Sequence, residues 1–390
     1  MTWGQPQPYA AGASVARPAR GGRSALRRWL LTAFVVIGFL LAALVLAVYY
    51  DATLGVLTTL LAVMLAVLPL GIVIPTFLWL DRFEAEPTRY LVVAFLWGAL
   101  VAALIAGVFN TGANIAFESA IGQPDQAMLA TAIFSAPLVE EASKGLLVLL
   151  VWWLRRREFD GITDGMVYAG IVAAGFAFTE NIQYLGLAYQ HGGGQALTGT
   201  FVARCLFTPF AHPMFTVMTG IGIGIAASTR NRLLRVLAPV GGYLLAAMLH
   251  ALWNLGAVTG GQGMVATYLV VEVPIFVGFL VLVAWVRRRE GRLIGRYLSP
   301  YADAGWLAPG EVRMLSTMSG RRAARVWAKS QGGRRALRSM QAFQDTASEL
   351  ALLRLRMHHS AADAHALDTE RALLEALAVR RQGFAGAWPR

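Results

Sequence analysis

The sequence alternates between long apolar stretches and short polar connections. A helix needs about 20 mostly apolar residues to cross roughly 30 Å of hydrocarbon. The stretches that satisfy this requirement are 29–49, 54–80, 89–109, 129–154, 165–189, 198–227, 236–258 and 264–286. The pattern therefore predicts an all-α, polytopic membrane protein with eight transmembrane helices.

The charges of the connections predict the orientation of these helices. Arginines precede the first stretch and lie in the second, fourth and sixth connections. The connections on the opposite side, at 50–53, 110–128, 190–197 and 259–263, contain no lysine or arginine. Because positively charged loops face the cytoplasm, every connection predicts a multi-pass protein of the cell membrane with both termini in the cytoplasm.

Composition agrees with this assignment and locates the net charge. Hydrophobic residues make up 57% of the chain and charged residues only 14%. A soluble domain has about 45–50% apolar and about 25% charged residues, so an ordinary soluble enzyme is excluded. Of the net charge of +12, residues 1–28 contribute five arginines and no acid, and residues 287–390 contribute 19 basic and nine acidic residues. Residues 29–286 contain 10 basic and 13 acidic residues. The basic ends are suited to anionic lipids rather than to nucleic acid.

Three regions follow from these patterns. We predict a disordered basic N-terminal tail at 1–28, an eight-helix transmembrane domain at 29–286, and a small cytoplasmic region of basic helices at 287–390. Within this last region, Gly332-Gly333 is expected to separate two helical stretches.

Several costly side chains interrupt the apolar stretches. A charged residue at the centre of a membrane helix costs about 2.5–3.5 kcal/mol and indicates a functional site. The fourth to seventh stretches contain Glu140, Glu141, Lys144, Glu180, Asn181, Arg204, His212, His250 and Asn254. At a helical rise of 1.5 Å per residue, the carboxylates and imidazoles of these four stretches lie within about 9 Å of one another in depth. Their shared depth predicts one buried site in the outer half of the bilayer.

Helical spacing places Glu140 and Glu141 on the side of the helix that faces Lys144, because residues three or four apart are neighbours. This lysine is one of two among 34 basic residues, and lysine releases its proton when buried more readily than arginine. An ion pair is favoured over a proton-transfer role, because opposite charges keep each other ionised.

Three further pairs have suggestive positions. His250 and Asn254 are four residues apart and can donate hydrogen bonds to the oxyanion of a tetrahedral intermediate. Phe176 lies one turn from Glu180 and can form a wall of the site. Arg204 has a depth similar to that of Glu272 in the eighth stretch, so an ion pair is expected there, with a gate or proton relay at Glu272 as the alternative.

This set of residues is compatible with two hydrolytic mechanisms. A buried glutamate beside a second carboxylate suits a general base that activates water. Alternatively, a divalent metal such as zinc lowers the pKa of its bound water to about 7. The candidate ligands for that metal are Glu141, Glu180, His212 and His250. Both mechanisms predict peptide-bond hydrolysis within the membrane, and the residues leave the choice between them open.

The motifs resemble those of the PrsW family of bacterial intramembrane proteases, which is related to the type II CAAX prenyl proteases. They are Glu140-Glu141-x-x-Lys144, Phe176-x-x-x-Glu180 followed by Asn181, an isolated His212 and His250-x-x-x-Asn254. Each lies on its own predicted helix, and the resemblance covers roughly residues 75–286. The prenyl proteases usually have a histidine at the position of Glu180, so this residue places the chain nearer to PrsW.

The resemblance implies an endopeptidase that cleaves membrane-anchored proteins. Glu140 or Glu141 would be the general base or a metal ligand, and His250 with Asn254 would hold the oxyanion. The implied catalytic set is Glu140, Glu141, Glu180, His212, His250 and Asn254, supported by Lys144, Asn181 and Phe176. Family members are associated with cleavage of membrane-anchored anti-sigma factors, which makes such a factor a candidate substrate.

Two other functions remain as alternatives. A proton-coupled transporter also lines its pathway with polar residues at mid-membrane, although the two halves of this chain show no inverted repeat. A non-catalytic scaffold would use the polar layer for helix packing only, but interhelical polar contacts average about 0.6 kcal/mol. That gain is small beside the cost of so many buried charges.

Overall fold

The computed structural model describes residues 22–83, 85–155, 159, 161–258, 265–266, 268–358 and 365–384. Every regular element in this part of the chain is helical. The first helices are α1 (Gly22–Leu54), α2 (Val56–Val67), α3 (Leu70–Leu80), α4 (Thr88–Leu96), α5 (Ala103–Ile121) and α6 (Pro124–Ala130). They are followed by α7 (Ala136–Leu154), α8 (Ile162–Phe201), α9 (Ala211–Ser228), α10 (Arg232–Val258) and α11 (Val273–Asp303). The last are α12 (Pro309–Leu315), α13 (Met318–His358) and α14 (Ala366–Gln382).

Short π-helical segments interrupt the longer helices. They are Trp97–Ala102, Thr131–Ser135, Val202–Phe207 and Tyr268–Glu272. The segment at Thr131–Ser135 directly precedes α7, which carries Glu140. Such π-bulges often accompany functional sites, and here they allow a helix to change direction without losing its internal hydrogen bonds.

Within the described residues, six helical stretches are long and apolar enough to cross a membrane. They are Trp29–Leu54, Val56–Leu80, Thr88–Ile121, Ile162–Ser228, Arg232–Val258 and Tyr268–Asp303. This agrees with an all-α polytopic membrane protein. The expected total of eight helices and the cytoplasmic position of both termini stay predictions.

The difference between six and eight has a local explanation in two places. Ile162–Ser228 is one stretch of 67 residues, but its backbone leaves the helical conformation at Gly192 and Gly193. Gly193 has φ 58° and ψ −153°, a conformation that side chains with a Cβ rarely adopt. This break lies inside the predicted connection 190–197. The second place is α7, an otherwise apolar helix that contains three charged residues, Glu140, Glu141 and Lys144.

The helices α8 and α9 form the centre of the fold. In the stretch Ile162–Ser228, 78% of the most apolar segment is buried, compared with 6% for Trp29–Leu54. Close contact between α8 and α9 depends on Gly165 and Gly220, since a Cβ on either residue would overlap the backbone of the other. Tight packing of backbones is typical of small residues in membrane helices. It holds the polar residues of the two helices at a fixed separation.

The C-terminal helices have a hydrophobic core of their own. Ile294, Leu315, Met340 and Phe343 belong to this core, and Phe83 from the connection after α3 joins it. The long helix α11 runs without interruption through the predicted boundary at 286 and 287, so the division into three regions stays a prediction. The expected break at Gly332-Gly333 is confirmed, with φ 59° at Gly333.

Candidate active site

The buried ammonium of Lys144 lies at the centre of the predicted polar layer. Its Nζ lies 2.8 Å from Glu141 Oε1 and 3.5 Å from Glu140 Oε2, as the helical spacing predicted. It also lies 3.1 Å from Nδ1 of His212 and 3.9 Å from the centre of the Phe176 ring. Three helices, α7, α8 and α9, therefore contribute to one cluster, and Phe176 forms one of its walls.

His250 of α10 joins this cluster through both of its ring nitrogens. Nδ1 lies 3.1 Å from Glu141 Oε1, and Nε2 lies 3.8 Å from Glu140 Oε2. A carboxylate only accepts hydrogen bonds, so we assign the ring proton to Nδ1, which leaves Nε2 directed at Glu140. Thr216 donates its hydroxyl to the other oxygen of Glu141 at 2.7 Å.

His212 is held in a corresponding way by Glu180. Its Nε2 lies 2.7 Å from Glu180 Oε2, while Nδ1 faces the ammonium of Lys144. An ammonium only donates hydrogen bonds, so Nδ1 accepts and Nε2 carries the proton that Glu180 receives. Each of the two histidines thus has one nitrogen bound to a carboxylate. The other nitrogen faces Glu140 in His250 and Lys144 in His212.

Arg204 anchors the Glu180 carboxylate. Its guanidinium forms an ion pair with Glu180 and donates from Nε to Asn181 Oδ1 at 2.9 Å. The similar depths of Arg204 and Glu272 predicted an ion pair between them, and that pairing stays a prediction. The side chain of Glu272 lies outside the described residues. The predicted supporting residue Asn181 therefore acts through Arg204.

Asn254 is one turn from His250 on α10, but its amide is engaged elsewhere. Nδ2 donates to the carbonyl oxygen of Ala132 at 2.7 Å, in the π-helical segment before α7. This bond ties α10 to the start of the helix that carries Glu140. The geometry gives Asn254 a structural role in addition to the expected contact with an oxyanion.

Two residues of the site were missed by the sequence analysis. Thr216 lies four residues after His212 on α9, so its helical spacing could have identified it as a neighbour of the cluster. Asn110 donates from Nδ2 to Glu140 Oε1 at 3.4 Å. It was assigned to a connection because the apolar stretch ends at residue 109, whereas α5 continues to Ile121.

The residues Glu140, His212 and His250 can together hold a metal ion. One ligand atom from each lies within 4.8 Å of the others, and all three side chains are buried. Two imidazoles and one carboxylate are a known donor set of catalytic zinc. The residues therefore fit a divalent metal. The Lys144 ammonium contacts Glu140 and His212, so a metal ion at this position would displace it.

The carboxylates Glu141 and Glu180 have a different position from the one expected for metal ligands. Glu141 contacts Nδ1 of His250, whose Nε2 faces Glu140, and Glu180 contacts Nε2 of His212, whose Nδ1 faces Lys144. Metal-binding histidines commonly donate their second N–H to a carboxylate, which orients the ring. The geometry therefore favours Glu140 as the carboxylate ligand, with Glu141 and Glu180 orienting His250 and His212.

A small cavity lies beside His212. Its volume is about 20 Å³, and its lining includes Asn181, Arg204, Thr208 and Trp253. A buried water needs about 10–15 Å³ and several polar partners. The cavity is therefore large enough for one water molecule next to the imidazole.

Comparison with known proteins identifies the family of the chain. The family model described as PrsW family intramembrane metalloprotease matches residues 86–283, just over half of the 390 residues. The chain belongs to the PrsW family. All nine predicted site residues lie in the matched segment, whereas α1 to α3 and the C-terminal helices α12 to α14 lie outside it.

Curated relatives within the PrsW family agree with this assignment. The chain is 32% identical to Protease PrsW of Geobacillus kaustophilus over 157 residues, which cover 40% of the chain and 63% of the relative. It is 27% identical to Protease PrsW of Oceanobacillus iheyensis over 199 residues, or 49% of the chain and 82% of the relative. It is 28% identical to Protease PrsW of Clostridioides difficile over 145 residues, which cover 36% of the chain and 55% of the relative. None of these comparisons supports the transporter alternative, and no solved structure matches the chain.

Proposed function

We propose that this PrsW family member is an intramembrane endopeptidase that hydrolyses peptide bonds of membrane-anchored proteins. The proposal rests on the convergence of Glu140, His212 and His250 inside the helical bundle, where each imidazole is oriented by its own carboxylate. Activation of water by glutamate and histidine requires these side chains to lie close together in fixed orientations. The curated relatives carry the name of a protease, which supports the same activity.

Glu140 is the best candidate for the residue that takes the proton of the attacking water in a metal-free mechanism, or that binds the metal in a metal-dependent one. Its carboxylate has only long contacts, at 3.4 Å to Asn110, 3.5 Å to Lys144 and 3.8 Å to His250. Glu141, by contrast, is bound by Lys144, Thr216 and His250 at 2.7–3.1 Å. A carboxylate with weaker partners is freer to accept a proton or a ligand, so Glu140 reacts while Glu141 orients His250.

A divalent metal held by Glu140, His212 and His250 would polarise the scissile carbonyl and lower the pKa of a bound water to about 7. The protein side chains around this position have separate tasks. Glu141 and Glu180 keep the imidazoles turned inwards, and Lys144 balances the negative charge of the buried carboxylates. Phe176 and Phe215 pack against the rings of His212 and His250, with ring centres 5.4 and 5.3 Å apart, and exclude bulk water.

The proposal includes a location and a class of substrate. The chain is a multi-pass protein of the cell membrane with eight transmembrane helices and both termini in the cytoplasm. A membrane-anchored anti-sigma factor is the candidate substrate, because the resemblance to PrsW implies it. The basic residues near the two ends would contact anionic lipids.

The test uses the purified full-length protein with a membrane-anchored reporter. H212A and H250A are compared with H191A, which removes an exposed histidine. We expect H212A and H250A to reduce cleavage at least about 100-fold and to lose bound zinc, measured by mass spectrometry of the metal, while H191A retains both.

Two outcomes would contradict parts of the proposal. Full cleavage by both H212A and H250A would exclude the proposed active site. Full cleavage by a wild-type protein stripped of metal by a chelator would exclude the metal and leave the metal-free activation of water by glutamate and histidine.

A further inference from the structure

A second cavity lies where the membrane helices meet the C-terminal helices. Its volume is about 650 Å³, within the range of about 300–1,000 Å³ that is typical of ligand pockets. Its lining includes the four arginines Arg82, Arg287, Arg322 and Arg325 and the two tryptophans Trp79 and Trp327. It is separate from the site around Glu140 and belongs to a part of the chain that the proposed proteolysis does not use.

The cavity lies at the level of a membrane surface. Trp79 is in the last turn of the candidate span Val56–Leu80, and Arg82 follows that span by two residues. Arg287 follows Val286 at the point where α11 changes from apolar residues to the run Arg287-Arg288-Arg289. Tryptophan and arginine are typical of the interface between hydrocarbon and water, where phospholipid headgroups lie.

Arg287 carries a buried donor that has no hydrogen-bond partner in the described part of the chain. Its side chain is only 8% exposed, and its Nη1 forms no hydrogen bond among the described residues. The guanidinium lies over the ring of Trp79, at 3.6 Å from its centre. Buried polar groups nearly always have a hydrogen-bond partner. An unsatisfied guanidinium nitrogen beside a cavity therefore points to a ligand that accepts hydrogen bonds.

Positive charge is concentrated around this donor. Burial lowers the pKa of Arg325, and the nearby charges of Arg82 and Arg322 lower it further, while Asp345 acts in the opposite direction. Glu290, one turn from Arg287 on α11, attracts that guanidinium but does not satisfy its Nη1. The repulsion among the arginines would be relieved by an anion in the cavity.

We propose that this cavity binds the phosphate headgroup of an anionic phospholipid. Guanidinium groups bind phosphate oxygens through paired hydrogen bonds. Met318 and Ser319 begin the long helix α13 and also line the cavity, so the N-terminal end of a helix dipole adds to the attraction for an anion. A lipid is favoured over a soluble phosphate because Trp79, Trp327 and the exposed Val326 offer apolar surface beside the arginines.

The consequence for the protein is a lipid-dependent connection between its two parts. Arg82 belongs to the connection after α3, Arg287 to α11, and Arg322 and Arg325 to α13. A bound headgroup would contact all three segments and hold the C-terminal helices against the membrane surface.

The test measures lipid binding to the full-length protein in neutral detergent, by native mass spectrometry with short-chain phosphatidylglycerol. The variant R82Q/R322Q/R325Q removes three arginines that are exposed or half-buried, so the fold is expected to persist. The control R334Q/R335Q/R338Q removes three exposed arginines of α13 outside the cavity. We expect one saturable site in wild type, at least about tenfold weaker binding in the first variant, and wild-type binding in the control.

The comparison of ligands separates a lipid from other anions. Phosphatidylcholine of the same chain length is expected to bind at least about tenfold more weakly than phosphatidylglycerol, because it has no net charge. Equal binding of glycerol phosphate, which has no acyl chains, or equal weakening in both triple variants would overturn the proposal. If the triple variant does not fold, the single substitution R322Q gives the same comparison with R335Q as its control.

Discussion

The ammonium of Lys144 lies 3.1 Å from Nδ1 of His212, and this contact determines which nitrogen of the histidine carries a proton. Because an ammonium cannot accept a hydrogen bond, Nδ1 accepts and Nε2 donates to Glu180. Lys144 therefore acts on the ring of His212 as well as on the carboxylates of its own helix. The ion pairs of Lys144 with Glu140 and Glu141 and the orientation of His212 therefore depend on the same ammonium group.

The two adjacent glutamates of α7 are expected to respond differently to substitution. E140Q should reduce cleavage about 10²–10⁴-fold with a change in Tm below about 2 °C, since Glu140 has only long contacts. E141Q should reduce both cleavage and stability, because it leaves the buried Lys144 with a weakened partner, which costs on the order of 3 kcal/mol. Reporter cleavage and thermal unfolding of both variants measure the difference.

The exposed Glu118 supplies a control for this comparison, since E118Q is expected to behave as wild type in both assays. Equal losses of stability in E140Q and E141Q would contradict the separate roles assigned to the two carboxylates.

Replacing Arg204 by lysine keeps the charge but removes the second contact. Arginine pairs with Glu180 and donates to Asn181 at the same time, whereas lysine is a point charge on a flexible stem. We expect R204K to lower kcat about tenfold, on the order of 1–2 kcal/mol, with little change in KM, since Glu180 would hold His212 less firmly. The exposed R232K is the control. Wild-type kcat in R204K would show that the ion pair with Glu180 does not need the second hydrogen bond of Arg204 to Asn181.

Gly220 is expected to be intolerant of the smallest side chain. A Cβ there would overlap the carbonyl of Gly165 and approach the Cβ of Ala169 at 2.8 Å. Overpacking of this kind costs about 1–3 kcal/mol, and a shift of α9 would displace His212 two turns away. G220A should therefore lower both Tm and cleavage.

A helical glycine with free space around it provides the comparison for G220A. Gly241 of α10 has no atom within 4 Å of an added Cβ, so G241A should be neutral or stabilising by up to about 1 kcal/mol. Similar Tm values for the two alanine variants would mean that the contact between α8 and α9 is not tight.

Asp81, directly after α3, predicts a pH dependence of stability. Burial, together with the carboxylates of Glu86 and Glu290, raises the pKa of Asp81 to about 8, from about 4 in an unfolded chain. Between these values the folded protein holds a proton that the unfolded chain has released, so stability falls as pH rises from about 4 to 8. D81N should flatten this dependence and raise the Tm at pH 8 relative to wild type.

Asparagine is a suitable substitute because it keeps an oxygen that accepts the hydrogen bond from the Glu86 N–H, which is 2.7 Å long in the wild type. D125N makes the same chemical change at an exposed position and should leave the pH dependence of Tm unchanged. An identical pH profile in D81N and wild type would exclude Asp81 as the titrating group.

The sequence by itself determined the features that follow from short-range geometry. Bilayer thickness sets the length of an apolar helix, so the membrane class of the protein could be predicted. The helical repeat brings Glu140 and Glu141 to Lys144, and glycine pairs allow the breaks at 192–193 and 332–333. The order of the motifs along the chain was sufficient for the resemblance to PrsW.

Only the tertiary structure decided which carboxylate faces which imidazole. Depth along the membrane normal can be counted in residues, but the rotation of each helix about its axis depends on packing between helices, such as that at Gly165 and Gly220. That rotation turns Glu140 towards Nε2 of His250 and brings Glu180 to Arg204. Spacing within one helix contains no information about these contacts, because each of them joins side chains from different helices.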